Sequence, residues 1–277
     1  MIVGCLERAG AAIIGCILLI GLPIANSQAQ SLCDKDDLTS AVMGNKLCIV
    51  VETFNAKPTG EVTPVLAIML HGDVSRGGPA SYHVARMQQL AEGANIPTVA
   101  MIRPGYEIRS GRKSEGTHYK RRDSYTQANN RALGAAIKKL KTFHKARKVV
   151  LIGHSGGAAM AGVIIDTYPG LIDKAVLASC PCDIKAWRRN SGYSPFIRSQ
   201  SPSMHIRNIE RSTQVVAITG SEDRNTTPNL AIDYVWQLKA RGIQAEAIIV
   251  KGASHSFNAR LWHPVFREVT RFVEQHR

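Results

Sequence analysis

Lys148-Val149-Val150-Leu151-Ile152-Gly153-His154-Ser155-Gly156-Gly157-Ala158-Ala159-Met160-Ala161-Gly162 is the stretch from which the fold can be read. A solid run of β-branched residues and leucine ends at a glycine. One polar residue and a serine follow, then glycines and alanines suited to a tightly packed helix. A buried strand running straight into a small-residue helix, with Gly-x-Ser-x-Gly at the junction, reads as a nucleophile elbow, the sharp turn that lifts a serine hydroxyl clear of the backbone. Glycines flank the serine because the turn leaves no room for Cβ atoms where helix meets strand. The motif carries this meaning only if the rest of the chain supplies partners for the serine.

Outward from the elbow, strands alternate with helices. Val65 to Leu70 is apolar throughout, as expected of a strand buried on both faces of a parallel sheet. Ala80 to Gly93 has a helical pattern, Ile96 to Ile102 reads as a strand, and 103–124 as a long polar loop. Ser124 to Lys145 forms an amphipathic helix with Ala128, Leu133, Ala136, Ile137 and Leu140 roughly on one face. After the elbow come a helix to about Tyr168, a strand Asp173 to Ser179, and an irregular segment 180–212 rich in proline, serine and arginine. Gln214 to Thr219 and Gln244 to Val250 read as strands, Asn229 to Arg241 and Arg260 to Glu274 as helices. At the other end, residues 31–44 carry Asp34, Lys35, Asp36 and Asp37 and read as a surface arm. Lys46 to Phe54 reads as an early antiparallel strand or hairpin, with a turn cluster at 55–60. The alternation predicts an α/β protein: a mostly parallel central sheet with helices on both faces. A chain of 277 residues suits one large domain of this kind or two small ones.

Two further loops supply what the serine lacks. Asp223 stands in Thr219-Gly220-Ser221-Glu222-Asp223-Arg224-Asn225-Thr226-Thr227-Pro228, directly after a strand; His255 stands in Lys251-Gly252-Ala253-Ser254-His255-Ser256-Phe257, after the last one. In this order and on these loops, the residues make the chain resemble an α/β-hydrolase over about residues 45–277, with the fold of that family and a short lid segment at about 180–212. The resemblance implies Ser155 as nucleophile, His255 as the base that takes its proton and returns it to the leaving group, and Asp223 as the group that orients the imidazole. Glu222 is the rival acid, and Asp223 could instead cap a turn before Pro228. Among nine histidines, His255 alone follows the final strand with the family's Gly-x-x-His spacing. His154, inside the elbow, is expected to shape the pocket wall.

The family also needs an oxyanion hole. Its donors map to the backbone N–H of Gly156 and, in His71-Gly72-Asp73, which resembles the family's His-Gly-x motif, to that of Asp73. An acidic side chain departs from the small or apolar residue common there, so the Asp73 carboxylate is expected to turn away, toward Arg76 or Arg103. Arg103-Pro104-Gly105-Tyr106 resembles the loop that buttresses the oxyanion turn in many relatives. Neither a metal nor an organic cofactor is implied.

The N-terminal segment reads as targeting rather than fold. Arg8 precedes an uncharged, mostly apolar run from Ala9 to Ala25, and Ser27-Gln28-Ala29 offers small residues at the positions a signal peptidase reads. Residues 1–29 are thus expected to be a signal peptide and 30–277 the hydrolase domain, exported to the periplasm or secreted. An uncleaved membrane anchor and a lipoprotein box at Ile13-Ile14-Gly15-Cys16 are the rivals. Cys33, Cys48, Cys180 and Cys182 would then meet an oxidising compartment. Four cysteines allow three pairings. Cys33 with Cys48 is favoured, with Cys180 and Cys182 paired locally or left as thiols; a zinc set lacks the spacing, and Cys182 as nucleophile lacks the elbow.

The formal net charge of +14 is the unusual figure. Loops 103–124 and 180–212 each carry a net +4, and both follow strands, so both should border the catalytic rim. Such clustering would concentrate an anionic substrate or hold the protein to an anionic envelope surface; a generally basic exported protein with solvated loops is the competing reading. No base-reading module or stacking platform is visible, so no nucleic-acid partner is expected. Trp187 and Tyr193, with Pro195 and Phe196, are the lid residues expected to line an acyl or aryl pocket. The resulting expectation is an exported serine hydrolase cleaving the carboxylic ester of a small molecule through an acyl-enzyme. The alternatives are a serine peptidase resembling the prolyl oligopeptidase group, acting on a peptide-like substrate, or a silent relative that binds an anionic envelope component.

Overall fold

The computed structural model describes residues 32–33, 38–56 and 61–277. The expected signal peptide, the acidic group at 34–37 and part of the turn cluster at 55–60 lie outside them. Among the described residues eight strands form one sheet in the order β1-β2-β4-β3-β5-β6-β7-β8. Strand β1 (Ala41–Gly44) pairs antiparallel with β2 (Leu47–Phe54), and β2 pairs antiparallel with β4 (Thr98–Met101). From β4 onward every pairing is parallel: β3 (Thr63–Leu70), β5 (Ala146–His154), β6 (Lys174–Ala178), β7 (Gln214–Gly220) and β8 (Ala245–Val250).

The apolar runs behave as a doubly covered sheet requires. Side chains alternate between faces with a period of two. On β3, Leu66, Ile68 and Leu70 join the layer of α2 (Gln127–Phe143), α3 (Gly156–Thr167) and α5 (Pro228–Ala240). Val65, Ala67 and Met69 meet α1 (Tyr82–Ala94) and α6 (Ala259–Glu274) on the other face. Strand β5 splits in the same way, Val149 and Leu151 one way and Val150 and Ile152 the other. After β3 the chain steps outward to β4, whereas after β5 it steps the other way to β6. The carboxyl ends of β3 and β5 are therefore the point where strand order reverses, which is where open α/β sheets hold their ligands.

Two expectations need correction. Residues 41–44 belong to no surface arm: Ala41 and Val42 are buried, and β1 completes the sheet. The strand closes there because Gly44 lies against α2, where a Cβ would sit 2.1 Å from the Ala132 carbonyl oxygen. The polar loop 103–124 is largely interior at its start, with Arg103, Tyr106, Ile108 and Ser114 buried. Segment 180–212 holds one helix, α4 (Ile184–Asn190), begun by Asp183 accepting from the Ala186 amide at 2.9 Å, and a single turn at Pro202–Met204. Both cysteine pairs are disulfides, Cys33–Cys48 and Cys180–Cys182. Among the described residues no helix is long and apolar enough to cross a membrane.

Candidate active site

Ser155 stands between β5 and α3 at φ 51° and ψ −120°, a left-handed conformation a non-glycine residue holds only when its surroundings enforce it. The enforcement is close packing. A Cβ at Gly157 would lie 2.3 Å from the Leu70 carbonyl oxygen, so α3 presses directly on the end of β3. The Ser155 amide donates to the Ala178 carbonyl at the end of β6 at 2.9 Å, which anchors the turn on its other side.

The loops after β7 and β8 bring two side chains to the hydroxyl. His255 Nε2 is 3.0 Å from Ser155 Oγ, and His255 Nδ1 is 2.9 Å from Asp223 Oδ2. The Asp223 side chain is fully buried, its Oδ1 accepting the backbone N–H groups of Asn225 (3.0 Å) and Thr226 (2.8 Å). It therefore caps its turn and faces the histidine at once. Burial alone would raise the Asp223 carboxyl, but the hydrogen bonds and charge of His255 and the donors of Thr226 and Ser179 outweigh it and hold it below the ordinary value. Glu222 is exposed, and among the described residues no hydrogen bond or ion pair joins it to the imidazole. Cys182 is disulfide-bonded and has no thiol to offer.

Beneath the turn after β3 lies a dense polar layer. The Asp73 carboxylate is engaged by three donors: Oδ1 accepts from Arg103 Nη2 at 2.9 Å and Tyr106 OH at 3.3 Å, and Oδ2 from Tyr125 OH at 2.5 Å. Arg103 also donates to the His71 carbonyl, and its amide donates to His71 Nε2, both at 3.0 Å. That acceptor role leaves the His71 proton on Nδ1, 2.7 Å from the Gly72 carbonyl. Burial first, then neighbouring charges, keeps His71 neutral well below the usual histidine value. Burial works against the Arg103 charge, but Asp73 more than restores it, and the guanidinium is held above its ordinary value. Arg103 is thus no rim charge; it is 1% exposed and neutralised. The Asp73 amide has no protein acceptor among the described residues and is free to donate. At Gly156 a Cβ would fall 2.7 Å from Asp73 Oδ1 and from Tyr125 OH, so only glycine fits beside this layer.

His154 corrects its expectation. It is buried, and both ring nitrogens are engaged by protein rather than facing a ligand. Tyr82 OH accepts the Gly72 N–H at 2.6 Å and donates its own proton to His154 Nδ1 at 2.6 Å; His154 Nε2 then donates to the His255 carbonyl at 3.1 Å. Burial, followed by the charge of His255, lowers His154 to about 3, so the ring is neutral and this polarity of the chain is the consistent one. His154 ties the oxyanion turn to the histidine loop.

Trp187 and Tyr193 do border the serine, in a cleft of about 380 Å³ that also includes Asp73, Ser155, Asn225 and His255. Asn225 is a further cleft residue that no sequence motif singles out. Its Oδ1 accepts from Trp187 Nε1 at 3.3 Å, and because an indole can only donate, the Asn225 amino group must face the other way. There it lies 3.1 Å from His255 Nε2, beside the serine hydroxyl. No motif marks Tyr82, Tyr125 or Thr226 either. Asn225 and Thr226 could have been sought in the Asp223 loop; nothing local marks the two tyrosines.

The sequence pattern of the Prolyl oligopeptidase family matches residues 119–277, a span that contains Ser155, Asp223 and His255. The chain belongs to the prolyl oligopeptidase family. No curated protein matches it. Among solved structures, this family member resembles Est1E from Butyrivibrio proteoclasticus with ferulic acid bound (TM-score 0.66, 15% identity, covering 85% of this chain and 98% of that one). It also resembles the Pyrococcus furiosus esterase Pf2001 (TM-score 0.63, 16% identity, 85% and 90% coverage). The Pyrococcus horikoshii acylaminoacyl peptidase matches at TM-score 0.59 and 17% identity over 83% of this chain, which spans 39% of that longer one. At these identities the likeness is one of fold, the α/β-hydrolase fold. The protein is a serine hydrolase of that type.

Proposed function

We propose that this member of the prolyl oligopeptidase family hydrolyses carboxylic esters through an acyl-enzyme on Ser155. The observation that carries the reading is the hydrogen-bonded run Asp223–His255–Ser155 at the mouth of an open cleft. His255 Nε2 accepts the serine proton as Oγ bonds to the carbonyl carbon, and the buried Asp223 stabilises the imidazolium that forms. The carbonyl oxygen, now negative, is received by the N–H groups of Asp73 and Gly156. Collapse expels the alcohol, which takes the proton back from His255. Water then repeats the sequence to release the acid and restore the serine.

Ester substrates are favoured over N-terminal peptide amines by the charge of the cleft. Of the residues lining it, Asp73 is the one carboxylate, and it is already held by Arg103, Tyr106 and Tyr125, so nothing there would receive an ammonium. Family membership supports a second reading, cleavage of internal peptide bonds. A panel of 4-nitrophenyl esters and blocked peptide amides separates the two: ester turnover with an initial burst is expected, and turnover of amides alone would overturn it. We also infer export with removal of residues 1–29, a reading supported by the two disulfides. Mature protein beginning at Gln30 is the expected N-terminus; an intact Met1 would contradict it.

A further inference from the structure

Three arginines reach the cleft that holds Ser155: Arg121, Arg122 and Arg188. Among the described residues none of them forms an ion pair. Arg121 is spent on structure, its guanidinium donating to the carbonyls of Val74 (2.7 Å) and Gly78 (2.9 Å). It sits in a turn where Tyr119, Lys120 and Arg121 all have left-handed backbone, φ 45°, 55° and 61°, a run L-residues adopt only at a cost. That turn delivers the exposed Arg122, whose side chain has no protein partner among the described residues, to the cleft.

Arg188 comes from α4. Its guanidinium carbon lies 4.2 Å from the Phe196 ring centroid, 4.6 Å from Tyr193 and 5.3 Å from Trp187. Nε donates to the Ser194 carbonyl at 2.8 Å, which leaves both terminal amino groups uncommitted. The rings hold the group in place and partly cover it: burial lowers its pKa and the like charge of Arg122 adds to that, while Tyr125, Tyr193 and Asp123 act the other way without cancelling it. Guanidinium does not give up its proton in proteins, so the site keeps a preoriented, half-buried cation with a second one nearby, neither of them in an ion pair among the described residues. A carboxylate matches that fork with two parallel hydrogen bonds.

We propose, on the reading that Ser155 forms an acyl-enzyme, that the substrate is an ester carrying a free carboxylate a few bonds from the scissile carbonyl, received by Arg188 and Arg122 while the lid rings cover the connecting hydrocarbon. The cleft's 380 Å³ is within the range of small-molecule sites and accommodates a chain of that length.

The test compares mono-4-nitrophenyl adipate with its methyl ester. The acid is expected to show a kcat/KM about tenfold higher at low salt, with the ratio falling toward one at about 0.5 M NaCl, where exposed charges are screened. Arg188→Gln and Arg122→Gln should each lower the acid-to-ester ratio about five- to tenfold, in line with loss of a charged hydrogen bond. Lys139→Gln, an equal charge change on the outer face of α2, should leave the ratio where it was. Arg122→Gln keeps the test usable if losing Arg188 loosens the lid. Binding to the Ser155→Ala protein is measured in parallel by calorimetry, where monomethyl adipate should bind at least about fivefold tighter than dimethyl adipate. Equal ratios, or equal binding of the two adipates, overturn the proposal. If neither ester turns over but the acid still binds preferentially, the ester-hydrolase reading fails and the carboxylate site stands.

Discussion

The two sides of Ser155 are built on opposite terms. Behind the oxyanion turn, Arg103, Tyr106, Tyr125 and His71 are all at most 1% exposed, and Asp73 receives three donors. On the lid side Tyr193 is 54% exposed, and an arginine rests among rings without an ion pair among the described residues. The first region has its charges paired and its geometry fixed before any substrate arrives; the second holds a charge in reserve. Catalytic groups need preorganisation, whereas recognition needs something left for the ligand to satisfy.

The largest effect expected concerns the fixed side. His255→Ala should lower kcat about 10⁴-fold or more; it also takes a hydrogen-bond partner from the fully buried Asp223, so the melting temperature is read alongside to show that the variant is folded at the assay temperature. A loss below about tenfold would remove His255 from the chemistry. Next, Arg103→Met leaves the half-buried Asp73 without its cation, which should cost about 2–4 kcal/mol in urea unfolding; a cost under about 1 kcal/mol would mean the layer is not the support described here. An equivalent change at Arg188 should cost far less, and that gap is the comparison in its simplest form.

Much of the fixed side was legible beforehand. Gly153 to Gly157 announces a turn with no room for side chains, and the Asp223 and His255 loops follow strands whose apolar runs are unambiguous. The acid at position 73 demanded a cation, and Arg103 supplies it. What escaped was set by contacts distant in sequence. Four residues at 41–44 are too few for a periodic signal, and their burial depends on α2. His154 was placed on the pocket wall by its neighbour, yet Tyr82 and the His255 carbonyl turn it inward. The lid arginine was countable, but its three rings and its distance in sequence from Arg122 could be brought together only by the fold.

Acid should separate the regions further. Burial lowers His71, and it lowers His83 and His154 to about 3, so below pH 6.5 the unfolded chain binds protons that the native protein refuses. Stability is therefore complete above about pH 6.5 and falls as pH drops toward 3, by up to about 1.4 kcal/mol per pH unit for each histidine. Urea midpoints at pH 7, 6 and 5 read this slope directly; a flat series would mean these rings are already charged in the native state. The smallest effect belongs to the link between the sides. Asn225→Ala breaks the bridge from Trp187 to His255 and should lower kcat/KM about two- to fivefold, the worth of an ordinary hydrogen bond.

The central claim, that Ser155 is the nucleophile, is tested most directly by intact-mass and peptide mapping after exposure of the purified protein to a fluorophosphonate. One adduct on Ser155 is expected, absent from Ser155→Ala and suppressed in His255→Ala. No adduct on the native protein, or an adduct that persists on Ser155→Ala, would contradict it.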